Sequence, residues 1–235
     1  GSVAIEFTKR YPGVPVWVND LYGPLYNFWH NLQRNADIFH DDLLDLKKEY
    51  NTPEKAKVLF LEQKDVLDDE EATSYDKGIA FYILNKCSFS GLTAASSFSP
   101  QASDNNFTER GIEKLPLYSC IICDWKITNL PYEQLLTDMV RDTHLYCDPP
   151  YDIKDDLYGT RGMLHKTFDH DLFAERMDSL TTNTLVSYNA SQLVKNRFQG
   201  LQWNAYEFSL TYTMRSVGDY MKDQQQRKEL ILTNY

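Results

Sequence analysis

The residues best suited to chemistry stand at 144–153, "HLYCDPPYDI". His144-Leu145-Tyr146-Cys147 reads as a buried strand, and it runs straight into Asp148-Pro149-Pro150-Tyr151. Proline has no N–H to give to a sheet ladder, so the strand must stop where Pro149 and Pro150 begin. Read without further context, Asp148 is a solvated acid ahead of a stiff turn. Read as chemistry, a carboxylate and the carbonyls behind it are held rigidly at the rim of a cleft.

Two further acids stand where apolar runs end. Val14-Pro15-Val16-Trp17-Val18 leads into Asn19-Asp20, and Leu117 to Cys123 leads into Asp124-Trp125. Both runs read as strands, which makes Asp20, Asp124 and Asp148 three strand-end acids. One such acid is unremarkable, whereas three form a polar rim over one edge of a sheet, the edge at which open α/β sheets bind ligands.

The elements that must carry this rim alternate. Leu25 to Gln33 has helical apolar spacing behind Pro24. Residues 37–76 are charged and mostly helical in pattern, and Ile79 to Leu84 is an apolar run whose periodicity does not separate helix from strand. A short helix comes after Pro131, and residues 152–167 read as a mobile loop with Gly159 and Gly162. Asp169 to Leu180 reads as an amphipathic helix, Thr184 to Tyr188 as a strand, and Phe208 to Met214 and Leu230 to Thr233 as closing strands. This order predicts an α/β sandwich with a mostly parallel central sheet.

Composition bounds the answer. A chain of 235 residues, 42% hydrophobic and 14% aromatic, fills a real core and is not disordered. No apolar run is long enough to span a bilayer and no signal peptide opens the chain, so no membrane is expected. Four cysteines suit a reduced, cytoplasmic-type compartment. Cys120-Ile-Ile-Cys123 has metal spacing without a second pair, so both read as buried strand cysteines and no metal is implied. The net charge is −10, and only residues 190–235 lean basic. Any affinity for nucleic acid must therefore come from a local groove.

The Asp148–Tyr151 tetrapeptide resembles the catalytic motif of amino-methyltransferases that use S-adenosylmethionine. Other stretches match in the same order. "VWVNDLYGPLYNFWHNLQ" (16–33) is similar to the ribose-binding acid and adjoining helix of the Dam-type (D12 class) DNA adenine-N6 methyltransferases. "YILNKCSFSGLT" (82–93) resembles the start of their target-recognition segment, and "CDW" (123–125) their acid–aromatic pair beside the cofactor's adenine. "FDHDLFAERM" (168–177), "TLVSYNAS" (184–191) and "KELILTNY" (228–235) resemble later motifs.

The resemblance implies a Rossmann-like class I methyltransferase sandwich with a small recognition insert. Residues 1–85 would form the cofactor-binding part, 86–116 the recognition segment and 117–235 the catalytic part. Asp148, Pro149, Pro150 and Tyr151 would be catalytic: the Asp148 carboxylate and Pro149 carbonyl accept N–H bonds from the target amine, and Tyr151 stacks on a flipped base. Asp148 favours adenine as acceptor, and Cys147 is core. Gly1, Ser2, Asp20, Leu21, Asp124, Trp125 and Asp148 would contact the cofactor, with Asp20 on the ribose and Leu21 and Trp125 flanking its adenine. Lys86, Ser88, Phe89, Ser90 and Leu92 would contact double-stranded DNA, with Phe89 as the wedge, and Arg110 and Lys114 are further basic candidates. A cognate restriction endonuclease is a candidate partner, and the chain is expected as a monomer or weak dimer, in the cytoplasm or as a viral or phage protein acting in a host cell.

Two departures matter. The opening "GSVAIEF" resembles the stretch just after the family's glycine-rich cofactor motif, so Gly1-Ser2 reads either as the end of that motif or as a tag remnant. If the chain truly begins there, the alternative is an inactive DNA-binding or structural relative. In the recognition segment Ala94 stands two residues after Leu92, where GATC-methylating relatives carry arginine. Alanine cannot reach guanine's major-groove acceptors, so a target other than GATC is expected.

Overall fold

The computed structural model describes residues 1–88, 97–137, 143–152, 167–200, 202–210 and 227–235. Phe89, Ser90, Leu92, Thr93 and Ala94 of the recognition segment lie outside the described residues. So do Gly159 and Gly162 of the anticipated loop, and residues 211–214 of the anticipated strand. The chain divides near residue 138 into two compact units, each described by itself.

The first unit is mainly helical. Helices α1 (Ser2–Arg10), α2 (Gly23–Arg34), α3 (Ala36–Glu49), α4 (Pro53–Asp68) and α5 (Ser74–Cys87) precede α6 (Pro100–Asn105), α7 (Glu109–Ile112), α8 (Leu115–Ile122) and α9 (Tyr132–Thr137). Helix α5 starts on a capping box: the Thr73 hydroxyl accepts the Asp76 N–H, and the Asp76 carboxylate accepts the Thr73 N–H. Gly78 through Leu84 are all buried, so α5 is apolar on every side and runs through the middle of the unit. A helix of that kind has no polar face, which is why periodicity left its type open. Phe28 of α2 packs on Phe81 and Tyr82 of α5, with ring centroids 5.8 and 5.7 Å away.

Two short strands, β1 (Trp17–Asn19) and β2 (Lys126–Thr128), form a parallel pair in this unit, Val18 opposite Ile127. Their ends are tied by side chains. Asn19 Oδ1 accepts from Thr128 Oγ1 at 2.8 Å and from Leu130 N at 3.0 Å, and Asn129 Nδ2 donates to the Asp20 carbonyl at 2.7 Å.

The expected strand over Leu117–Cys123 is instead helix α8. Pro116 fits a first helical turn, where its missing N–H costs nothing, and buried Leu115 and Ile122 are two turns apart on one face. Two expectations fall with it. Cys120 and Cys123 are exposed rather than buried in a strand, and Asp124 comes after a helix and precedes β2 rather than ending a strand.

The second unit holds β3 (His144–Cys147), β4 (Asn183–Asn189), β5 (Asn204–Leu210) and β6 (Arg227–Thr233), with helices α10 (His170–Asp178) and α11 (Gln192–Arg197). Strand order is β3-β4-β6-β5; β3 runs parallel to β4, while β6 is antiparallel to both neighbours. The architecture is thus mixed α/β, but the described sheets are one parallel pair and one four-stranded mixed sheet rather than a mostly parallel central sheet. Strands β5 and β6 are consecutive, and antiparallel pairing needs no crossover helix. Strand β4 alternates, burying Thr184, Val186 and Tyr188. On Tyr188 converge Phe173 of α10 and Phe198 after α11, each with its ring centroid 6.4 Å away.

Among the described residues no helix is long and apolar enough to cross a membrane.

A Cβ added at Gly78 would sit 3.1 Å from the Asn27 carbonyl oxygen and 3.3 Å from the Phe28 nitrogen, backbone atoms of α2 that cannot swing aside. Gly78→Leu should therefore destabilise the protein by about 1–3 kcal/mol in urea denaturation; an unshifted midpoint would show that α2 and α5 are not in close contact.

Candidate active site

The tetrapeptide at the end of β3 is held by its neighbours in the second unit. Strand β3 pairs with β4 through Cys147 opposite Val186 and ends there. Asp148 is exposed, Pro149 buried and Pro150 half-buried, so the first proline packs inward next to an exposed acid. The Tyr151 hydroxyl donates to Glu229 Oε2 of β6 at 2.8 Å, and its ring stacks on Tyr188, centroids 6.3 Å apart and planes at 28°. Tyr188 in turn hydrogen-bonds His170 Nδ1. One residue on, the Asp152 N–H donates to Asn189 Oδ1 at 3.0 Å, and Arg197 of α11 bridges the Asp152 and Asp171 carboxylates at 2.5 Å each.

Electrostatics reflect this packing. Burial first, then Glu229 and Asp148, raise the Tyr151 hydroxyl above its ordinary pKa, partly offset by Ser187, so it stays a neutral donor. Burial, helped by Asp148, pushes the Cys147 thiol up to about 12, and its sulfur packs 3.8 Å from Met177 Sδ. Cys147 carries no nucleophile at neutral pH.

In the first unit Asp20 stands just past β1. Its Oδ1 accepts the Tyr22 N–H at 2.8 Å, and among the described residues Oδ2 has no partner. The residue is open to solvent, yet the protein around its carboxyl raises its pKa, against the lowering effects of the Tyr22 N–H and the Gly1 amine. Leu21 beside it is 53% exposed, a large apolar side chain left uncovered. Trp125 is 6% exposed: its indole N–H donates to Thr8 Oγ1 at 2.8 Å and its ring lies 6.3 Å from that of Trp29. Asp124 is exposed. Gly1 caps α1 with its Cα against Trp29, where an added Cβ would stand 2.6 Å from Cζ2, and Ser2 is the exposed first residue of that helix.

Of the DNA candidates, Lys86 lies in the last turn of α5 with its ammonium 5.6 Å from the centre of the Tyr82 ring, and burial lowers its pKa. Ser88 is 1% exposed, and its hydroxyl has no partner among the described residues. Arg110 and Lys114 are exposed.

Sequence reading missed Glu229, Asn189 and Arg197. The signal for the first two was present but faint: Asn189 closes and Glu229 opens the run of its strand that carries the apolar residues, and the β4–β6 register sets them opposite one another.

The profile of the D12 class N6 adenine-specific DNA methyltransferase family matches residues 1–214. The chain belongs to that family: it is a transferase that methylates adenine N6 in DNA. A comparison with curated proteins gave no match.

Cysteine labelling checks the electrostatics. At about pH 8 an alkylating reagent and peptide mass spectrometry should find Cys120 and Cys123 modified first. Cys87 and Cys147, both raised to about 12, should stay protected in the folded chain because only about one thiol in ten thousand is ionised. Equal labelling of Cys147, which is half-buried, would contradict its raised pKa.

Proposed function

We propose that the chain transfers the methyl of S-adenosylmethionine to an adenine flipped out of duplex DNA, with a Rossmann-like core and residues 86–116 contacting the duplex. The observation that carries this reading is the Asp148–Tyr151 turn. It lies at the carboxyl end of β3, with Pro149 buried, Pro150 half-buried and Asp148 exposed.

The chemistry needs that arrangement. An exocyclic amine on a purine is a weak nucleophile because its lone pair delocalises into the ring. The Asp148 carboxylate and the Pro149 carbonyl each accept an N–H bond from it, which draws the nitrogen toward tetrahedral geometry and frees the lone pair. Acceptors on a proline turn are already in place when the base arrives, so little reorganisation is required. As the N–C bond forms the methyl's C–S bond would break and the sulfur would leave as a neutral thioether; the amine must then shed a proton, and Asp148 already accepts one of its two N–H bonds. Tyr151 offers its ring face to the base. No thiolate is needed, in keeping with a protonated Cys147.

The residues of the first unit fit the donor's nucleoside. Asp20 Oδ2, without a partner among the described residues, is an acceptor suited to ribose hydroxyls, and exposed Leu21 supplies an apolar contact for a purine. Trp125, being buried, shapes such a site from behind. The donor supplies an electrophilic methyl on a sulfonium. DNA affinity must be local, because the chain carries a net charge of −10.

Asp148→Ala should lower methyl incorporation into duplex DNA by about 100-fold or more, with an unchanged circular dichroism spectrum and S-adenosylmethionine binding by calorimetry lowered far less than the rate. Asp20→Ala should instead weaken that binding. Turnover by Asp148→Ala near the wild-type rate would overturn the assignment.

A further inference from the structure

We infer that Glu229 is a positioning residue of the methyl transfer, setting the plane of the Tyr151 ring through the hydroxyl it binds; this rests on the function proposed above. Glu229 lies beyond residues 1–214, the stretch the family profile matches.

Glu229 is only 5% exposed. A carboxylate so placed is tolerated when hydrogen-bonded, and the Tyr151 hydroxyl donates to it at 2.8 Å. The acid sits opposite Asn189 in the β4–β6 register, and Asn189 takes the N–H of Asp152 at 3.0 Å. One rung of the sheet therefore grips two consecutive residues just after the prolines. Tyr188, 1% exposed, lies against the Tyr151 ring. The tyrosine is thus restrained at its hydroxyl, at its ring and through the backbone of the next residue.

This restraint has two consequences. With its hydroxyl committed to Glu229, Tyr151 meets a base with its ring rather than with a donor. Stacking on an aromatic ring tolerates any base, so the choice of an amine-bearing purine falls to Asp148 and Pro149. Second, Glu229 acts on the reaction only through where the ring stands, so a neutral acceptor of the same shape should serve as well.

The test is steady-state methylation of duplex DNA by the full chain, rates normalised to active sites by single-turnover burst. Glu229→Ala should lower kcat about 10- to 100-fold, the scale of a small misplacement in a reacting pair, with KM for S-adenosylmethionine within twofold of wild type. Glu229→Gln should restore kcat to within about threefold, since its amide oxygen still accepts. Combining Glu229→Ala with Tyr151→Phe should cost no more than either alone. Should Glu229→Ala not fold, Tyr151→Phe, which keeps the ring and loses the hydroxyl, carries the test with the same expected drop. Undiminished kcat in either variant, or Glu229→Gln as impaired as Glu229→Ala, overturns the inference. A wild-type chain with no adenine methylation would instead overturn the function on which it rests.

Discussion

Everything at the proposed catalytic end of this chain depends on a backbone fact: a strand cannot continue through two residues that lack an N–H. Strand β3 stops at Cys147 because Pro149 and Pro150 have nothing to give the ladder. The stop leaves a carboxylate and a run of carbonyls at the carboxyl end of a sheet strand, where α/β folds collect their ligands. The buried Pro149 ring then removes the freedom a polar turn would retain. Rigid acceptors at a strand end are what an electron-poor amine would require in the proposed reaction.

The surrounding residues extend this rigidity outward. Glu229, Asn189 and Arg197 come from β6, β4 and α11, and they engage Tyr151 and Asp152 in sequence. Their hold falls on the parts the prolines leave movable, the aromatic ring and the chain beyond it. In the first unit the ties among Asn19, Thr128, Leu130 and Asn129 do the same for the end of β1, fixing the backbone on which Asp20 is carried.

Much of this was legible in the sequence. Helix α2, strands β3 and β4 and helix α10 are where spacing places them, because each has one apolar face and a clear breaker at an end. Helix α5 stayed ambiguous because burial on all sides erases periodicity, and α8 was misread because a short apolar run flanked by weak signals looks the same in either state. That misreading took Cys120, Cys123 and Asp124 with it. The end of β3 at Cys147 was readable since the effect of proline on a ladder is local. Glu229 was not, because a lone acid in "KELILTNY" acquires meaning only when the β4–β6 register brings Asn189 opposite and Tyr151 within reach. Leu230 to Thr233 was legible as a strand, but the antiparallel direction of β6 was hidden for the same reason: pairing partners are a tertiary matter.

The central claim is that the target base docks on the Asp148–Tyr151 turn. Its most direct test is photo-crosslinking. Once the methylated sequence has been mapped, 5-iodouracil is placed at the target position of a duplex, irradiated with the protein, and the adducted peptide identified by mass spectrometry. An adduct on the peptide that contains Tyr151 is expected. An efficient adduct confined to peptides that lack the tetrapeptide would contradict it.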